Sequence, residues 1–127
     1  MAKLNQKVLI VEDEDSFLIP LKESFADAGF DVVLAKDGQE GLSSAQKEKP
    51  NIMIVDIKMP KMDGIEMTKK LKEIGISIPT IFLTNVKDAT HIADAMEAYR
   101  PDSDYIIKTD ISLEDIVKRA KAKLGLE

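Results

Sequence analysis

The residues from Ile52 to Asp56 constrain the fold of this 127-residue chain more than any other stretch. Four apolar residues end on the carboxylate of Asp56, and the turn-forming residues Pro60 and Gly64 follow. A short apolar run bounded by turn residues is typical of a strand buried on both faces, as in a parallel sheet. The pattern therefore places Asp56 at the carboxyl end of a central strand, where open α/β sheets bind their ligands.

Similar apolar runs recur along the chain and alternate with segments of helical periodicity. The predicted strands are 7–11, 32–35, 52–55, 80–84 and 104–107. The predicted helices lie at 17–28, 39–48, 65–74, 92–99 and 113–124. Strict alternation predicts a single α/β domain, in which right-handed crossovers place helices on both faces of a parallel sheet.

Local signals refine the helix boundaries. Asp37 and Ser112 are predicted to cap the second and fifth helices, and Gly29 and Gly75 to end the first and third. Pro20 falls inside the first helical pattern, where it lacks an N–H and crowds the preceding turn. We therefore expect either a kink at Pro20 or a helix that begins late enough to hold Pro20 in its first turn.

Composition excludes several classes of function. The net charge of −5 argues against direct nucleic-acid binding, which needs clustered Lys and Arg. The chain contains no cysteine, which rules out disulfides, thiolate catalysis and Cys-based metal sites. It has no apolar run of the length that a membrane span needs and no apolar signal core at its start. A cytoplasmic protein is the resulting expectation.

Polar residues follow four of the predicted strands and should meet at one edge of the sheet. They are Glu12 and Asp13, Asp56, Thr84 and Lys108. Converging carboxylates repel one another unless a charge compensates them, and a hard cation such as Mg²⁺ prefers such oxygen ligands. A cation beside a lysine would stabilise a phosphoryl group carried by an oxygen nucleophile.

These motifs resemble the response-regulator receiver domain, the CheY-like fold of two-component signalling. The resemblance rests on four segments in the same order as in that family: Val11 to Glu14, Val55 to Gly64, Leu83-Thr84, and Tyr105 to Lys108. It extends from about Lys7 to Leu124. It implies a (βα)5 domain with strand order 2-1-3-4-5, and with it a phosphoprotein whose signalling depends on phosphorelay.

The resemblance implies a role for each site residue. Asp56 matches the phosphoacceptor, which takes a phosphoryl group from a phosphohistidine or from a small donor such as acetyl phosphate. Asp13 and Asp56 would bind Mg²⁺ directly, together with the backbone carbonyl of Lys58. Glu12 would hold a metal-bound water.

Three further residues are implied to act on the phosphoryl group or to respond to it. Lys108 would pair with Asp56 and, after phosphorylation, with a phosphoryl oxygen. The Thr84 hydroxyl would donate a hydrogen bond to another phosphoryl oxygen. Tyr105 matches the aromatic switch residue of the family. Phosphorylation would then bias a surface formed by the fourth helix, the fifth strand and the fifth helix.

The resemblance also implies partners and domain organisation. We expect residues 1–127 to form one receiver domain with a core at about 7–124 and no output domain. The expected partners are a sensor histidine kinase or phosphotransfer protein and an unidentified downstream protein, without direct nucleic-acid or membrane binding. A phosphorylation-dependent homodimer is a further expectation. The domain would modify and dephosphorylate itself but turn over no external substrate.

The chain departs from the family pattern at several positions. Thr109 follows Lys108 where the family usually has a cis proline, and because a cis bond before a non-proline residue costs about 2.5–4 kcal/mol, we expect a trans bond and a rearranged loop. Asn85 stands where the family prefers Ala or Gly, which would narrow donor access or add a hydrogen bond. Lys58, Asn85 and Val86 match positions that tune dephosphorylation, and an aliphatic Val86 favours a longer-lived phosphoryl group. The segment from Tyr99 to Asp104 replaces a short Gly-Ala turn and alters the output surface.

Other functions remain as alternatives. A phosphatase of the haloacid-dehalogenase type would need an acid two residues after its nucleophile, where this chain has Lys58. A pseudo-receiver that signals without phosphorylation is the main alternative, supported by the altered loop at Thr109. A flavin carrier is disfavoured because no phosphate-binding loop follows the first strand. His91 is isolated and receives no role.

Overall fold

The computed structural model describes residues 4–85 and 104–126. Within these residues the elements are β1 (Lys7–Val11), α1 (Asp15–Asp27), β2 (Asp31–Ala35), α2 (Gly38–Glu48), β3 (Ile52–Asp56), α3 (Gly64–Glu73), β4 (Thr80–Thr84), β5 (Asp104–Ile107) and α4 (Leu113–Lys123). Helix α4 corresponds to the fifth helix that the periodicity predicts. The predicted fourth helix lies outside the described residues, as do Val86 and His91.

The five strands form one parallel sheet in the order β2-β1-β3-β4-β5, which confirms the predicted topology. Side chains alternate between the two faces of each strand. Val8 and Ile10 of β1 join the cluster under α1 and α4, whereas Leu9 and Val11 pack with residues of α2 and α3. The apolar run of β3 is buried throughout because both of its faces are covered in this way.

Capping interactions set the helix boundaries as the sequence predicts. The Asp37 carboxylate accepts from the Glu40 N–H at 2.8 Å at the start of α2, and the Ser112 hydroxyl accepts from the Asp115 N–H at 3.1 Å at the start of α4. Gly75 has the positive φ of 84° that favours glycine after a helix. Of the two alternatives for Pro20, a helix that begins late is wrong, because α1 begins at Asp15 and Pro20 lies well inside it. A kink at Pro20 stays a prediction.

The backbone pairing of the sheet continues one residue beyond three of its strands. The N–H of Glu12 donates to Ala35 at 3.0 Å, that of Ile57 to Leu83 at 2.9 Å, and that of Lys108 to Thr84 at 2.9 Å. The backbone at Glu12, Ile57 and Lys108 is therefore held by the sheet. Among the described helices, none is both long and apolar enough to cross a membrane.

Candidate functional site

The carboxyl edge of the sheet gathers the acids that the sequence analysis selected. Glu12 and Asp56 are 0% and 2% exposed, and Asp13 beside them is half-buried. One carboxylate oxygen from each of the three lies within 4.8 Å of the others. Charges so close together and so poorly solvated are costly unless a cation is near.

Lys108, directly after β5, brings a positive charge to the three acids. Its Nζ lies 2.7 Å from Glu12 Oε1, 3.4 Å from Asp56 Oδ2 and 3.5 Å from Glu14 Oε1. The side chain is only 7% exposed, so these contacts are little screened by water. Lys108 therefore acts as the internal counter-ion of the acidic cluster, and it lies nearer to Glu12 than to Asp56.

The charges of the cluster shift the pKa values of two of its members. Burial, reinforced by the negative charge of Glu12, raises the pKa of Asp56 from 3.8 to about 8, although Lys108 opposes the shift. Burial alone would lower the pKa of Lys108, but its contact with Glu12 and the charges of Asp56 and Glu14 outweigh burial and raise it. Lys108 thus stays charged while its ammonium compensates the carboxylates only in part.

The polar groups of the cluster fit a hard divalent cation. Glu12 Oε2 accepts from the Glu14 N–H at 3.1 Å, and the buried Glu12 Oε1 lies 2.7 Å from the ammonium of Lys108. One ammonium beside several carboxylates leaves part of their negative charge uncompensated, which a divalent cation would offset. Carboxylate oxygens at this spacing are the ligand type that Mg²⁺ prefers.

A close backbone approach shapes the site beside Asp56. A Cβ on Gly64 would lie 2.4 Å from the Asp56 carbonyl oxygen, so only glycine fits at the start of α3. The Gly64 N–H donates to the Ile57 carbonyl at 2.8 Å and folds the chain back over the end of β3. Lys58 follows in this turn with its side chain exposed.

Thr84, Asn85 and Tyr105 lie on the neighbouring strands. Thr84 is 1% exposed at the end of β4, where its hydroxyl donates weakly to the Asn85 carbonyl at 3.3 Å. Asn85 follows directly and is half-buried. Tyr105 is paired with Phe82 in the sheet and is 39% exposed, so its ring lies outward in this structure.

Two neighbours of Lys108, Glu14 and Phe17, were not predicted to belong to the site. Glu14 was one more acid after β1, and Phe17 was an apolar residue of α1. In the structure Glu14 Oε1 approaches the lysine, and the Phe17 ring lies under its Nζ at 4.9 Å from the ring centre, a cation–π geometry. The available signal was their place at the start of α1, where Glu14 is the N-cap residue and Phe17 lies in the first turn.

The loop after β5 follows the expectation for a chain without proline at this place. No peptide bond among residues 4–85 and 104–126 is cis, so the bond between Lys108 and Thr109 is trans as predicted. The turn is closed by the Asp110 N–H, which donates to Ile107 at 3.0 Å. Lys108 nevertheless reaches Glu12 and Asp56.

Comparison with known proteins places the chain in a family. The model of the response regulator receiver domain matches residues 8–121, and the chain belongs to that family. Response regulators are signalling proteins, and the resemblance inferred from the four motifs is therefore confirmed.

Curated relatives include both transcriptional regulators and a phosphotransferase. Alkaline phosphatase synthesis transcriptional regulatory protein PhoP of Bacillus subtilis is 40% identical over 81 residues, which are 64% of this chain and 34% of the relative. Transcriptional regulatory protein TrcR of Mycobacterium tuberculosis is 31% identical over 118 residues, 93% of this chain and 45% of the relative. The chain thus spans less than half of these two proteins. Sporulation initiation phosphotransferase F of Bacillus subtilis is 35% identical over 94 residues, 74% of this chain and 76% of the relative.

Solved structures agree with the family assignment. The receiver domain of the Francisella response regulator 1452 superposes with a TM-score of 0.83 at 26% identity, covering 95% of this chain and 98% of that one. A response regulator from Chloroflexus aurantiacus, described as putative, gives a TM-score of 0.81 at 28% identity, with coverages of 94% and 98%. The fold is therefore that of CheY-like receiver domains.

Proposed function

We propose that Asp56 accepts a phosphoryl group from a phosphohistidine on a sensor histidine kinase or phosphotransfer protein, or from a small donor such as acetyl phosphate. The observation that carries this proposal is the burial of Asp56 beside two further acids and a lysine at one edge of the sheet. Membership in the receiver family and the likeness to a named sporulation phosphotransferase support it.

The reaction is a transfer between two covalent acceptors. A carboxylate oxygen of Asp56 attacks phosphorus, the P–N bond to the donor imidazole breaks, and its electron pair returns to the ring nitrogen, which takes up a proton. The product is an acyl phosphate on Asp56. Because the pKa of Asp56 is about 8 without a metal, the attacking carboxylate needs nearby positive charge to be ionised at neutral pH.

The acidic cluster would hold Mg²⁺ as the source of that charge. Asp13 and Asp56 would bind it directly with the backbone carbonyl of Lys58, and Glu12 would hold one of its waters. When bound, Mg²⁺ supplies positive charge that favours the ionised Asp56 and stabilises phosphoryl oxygens. The three carboxylate oxygens within 4.8 Å of one another, whose charge Lys108 compensates only in part, support this assignment.

Lys108 and Thr84 would stabilise the transferred group. Lys108 lies against both Glu12 and Asp56, so a short movement of its ammonium away from Glu12 would bring it to a phosphoryl oxygen. The Thr84 hydroxyl makes only a 3.3 Å bond to Asn85, which leaves it ready to turn toward a stronger acceptor. Asn85, Val86 and Lys58 would then set the rate at which water removes the phosphoryl group.

Phosphorylation would be read at the surface that contains β5 and α4. Movement of Thr84 would leave space for Tyr105, whose ring is exposed in this structure, to turn inward. The change would alter binding of an unidentified protein target or of a second copy of the chain. We propose a cytoplasmic receiver domain over residues 1–127, with a core at about 7–124, that turns over no external substrate and contacts neither nucleic acid nor membrane itself.

Intact-mass spectrometry tests the proposal directly. The chain is incubated with acetyl phosphate and Mg²⁺, and one acid-stable, base-labile phosphoryl adduct is expected on the wild type but not on Asp56→Asn. Absence of the adduct, under conditions that label other receiver domains, would favour a pseudo-receiver. Continuous release of phosphate from generic phosphate esters would instead indicate a phosphatase.

A further inference from the structure

The loop between β3 and α3, residues 57–63, is fixed at both ends. At its start the Ile57 N–H donates to Leu83 of β4 at 2.9 Å, and the Ile57 carbonyl accepts from Gly64 at 2.8 Å. At its end Asp63 caps α3 by accepting from the Glu66 N–H at 2.7 Å. Between these points the loop contacts α2 at Lys61 and Met62.

The first turn of α2 touches the middle of this loop. A Cβ on Gly38 would lie 2.1 Å from the Met62 carbonyl oxygen and 2.7 Å from the Met62 Cβ. Real Cβ atoms essentially never approach other atoms so closely, so any side chain at residue 38 would push the loop backbone away. Asp37 adds an ion pair, with its Oδ2 at 3.4 Å from Lys61 Nζ.

The middle of the loop has a backbone conformation that needs such support. Lys61 has a φ of 70°, in the left-handed region that residues with a Cβ seldom occupy. The Met62 N–H donates to the Pro60 carbonyl at 2.7 Å, which makes a tight turn around Lys61. Strained conformations of this kind persist where the surrounding structure holds them and often lie beside functional sites.

We infer that Gly38, assisted by Asp37, positions this loop and through it the Lys58 carbonyl relative to Asp13 and Asp56. This inference rests on the proposed function, which assigns the Lys58 carbonyl to Mg²⁺. The steric contact is the dominant one, because the Lys61 side chain is 62% exposed and an exposed ion pair is weak. Gly38 and Asp37 are positioning residues, since they act through the loop and are not among the proposed ligands.

The test is the Mg²⁺ dissociation constant of the whole chain, measured by isothermal titration calorimetry without phosphodonor. Gly38→Ala is expected to weaken Mg²⁺ binding about 10–100-fold, the usual effect of disturbing residues that orient metal ligands. Gly75→Ala is the matched control. Gly75 also has a positive φ, of 84°, but its added Cβ would meet nothing within 4 Å, so this variant is strained without pushing on the loop and should bind Mg²⁺ like wild type.

A second variant covers the case in which Gly38→Ala does not fold. Lys61→Gly relieves the left-handed strain and removes the pair with Asp37, so it frees the loop without adding a clash. This variant should fold like wild type and bind Mg²⁺ more weakly by a factor of roughly 3–10. That effect is smaller than the one expected for Gly38→Ala, because no side chain is added that pushes on the loop.

The outcomes separate the inference from the proposed function. Wild-type affinity in both Gly38→Ala and Lys61→Gly, or in Lys61→Gly alone if the other does not fold, overturns the inference and leaves the proposed function intact. Equal weakening in Gly75→Ala also overturns it, because the effect would then be a general loss of stability. A wild-type chain that binds no Mg²⁺ overturns both the inference and the metal assignment.

Discussion

The middle of the sheet and its carboxyl edge are equally buried but chemically opposite. Ile10, Ile54 and Phe82 in the middle are 0% exposed, and so is Glu12 at the edge, with Asp56 at 2%. Burial of the apolar side chains stabilises the fold by about 25 cal/mol per Å² of apolar surface removed from water. Burial of the carboxylates works against folding, as the raised pKa of Asp56 shows.

Burial has a different consequence in each region. In the middle of the sheet, burial provides the free energy of folding. At the edge, burial keeps water from screening Glu12, Asp56 and Lys108, so that charges interact strongly where a phosphoryl group would be placed. The free energy gained by burial in the middle of the sheet offsets the cost of burying charges at its carboxyl edge, and substitutions can test the two regions separately.

The largest effect is expected in the middle of the sheet. Phe82→Ala removes a fully buried ring from β4 and should lower the free energy of unfolding by about 3–5 kcal/mol, because lost apolar burial and a cavity add together. Urea denaturation measures this loss. Ile74→Ala, at a residue 56% exposed, is the control and should change stability by less than about 0.5 kcal/mol. Comparable losses in the two variants would contradict the account of the middle region.

Removing a charge from the edge should have the opposite sign. Asp56→Asn should stabilise the metal-free protein by about 3 kcal/mol at pH 8. The pKa shift, which already includes the favourable contact with Lys108, corresponds to at most about 6 kcal/mol, and relaxation and water around the ionised carboxylate reduce that cost.

The pH dependence identifies the cause of this stabilisation. The folded chain holds a proton on Asp56 up to about pH 8, whereas the unfolded chain loses it near pH 3.8. Asp56 therefore makes wild-type stability fall as pH rises between these values. The gain in Asp56→Asn should be nearly absent near pH 4 and complete near pH 8 in urea denaturation with EDTA. A gain that does not change with pH would show that charge is not the cause.

A divalent cation should reduce the instability of the edge. At a hundred times its dissociation constant, Mg²⁺ should stabilise the wild type by about 2.7 kcal/mol, because it binds the folded chain alone. Thermal denaturation with Mg²⁺ or EDTA measures this change. Asp13→Asn removes a proposed ligand at a half-buried residue and should lose most of the effect. An undiminished response in that variant would place the cation elsewhere.

The smallest effects distinguish two buried threonines on one strand. Thr80 at the start of β4 donates to the Ile78 carbonyl at 2.9 Å, whereas Thr84 at its end makes the longer 3.3 Å bond. Thr80→Val should lower stability by about 1 kcal/mol and leave phosphorylation of Asp56 unchanged. Thr84→Val should lower stability less but slow phosphorylation by acetyl phosphate. Equal phosphorylation rates in the two variants would remove Thr84 from the site.

The fold was predictable where one physical signal acted alone. The apolar runs of β1 and β4 and the caps at Asp37 and Ser112 depend on a few neighbouring residues, and the structure has them at the predicted places. Pro20 was harder, because packing of Leu18, Leu21 and Phe25 against the sheet favours a longer helix than the proline alone would allow.

The candidate site was predictable in its members but not in its contacts. The topology of the parallel sheet alone brings Glu12, Asp56 and Lys108 to one edge, independently of the conformations of their side chains. That Lys108 lies nearer to Glu12, and that Phe17 lies beneath it, depends on three-dimensional packing between α1 and β5. Chain order alone does not specify such packing.

The most direct test of the central claim is to find which residue carries the phosphoryl group. The chain is treated with acetyl phosphate and Mg²⁺, then reduced with borohydride, which converts an aspartyl phosphate to homoserine, and is digested for tandem mass spectrometry. The account predicts homoserine at residue 56, with Mg²⁺ required for its formation. Homoserine at residue 13 instead, or an unmodified Asp56 in a chain that circular dichroism shows to be folded, would contradict phosphorylation at Asp56.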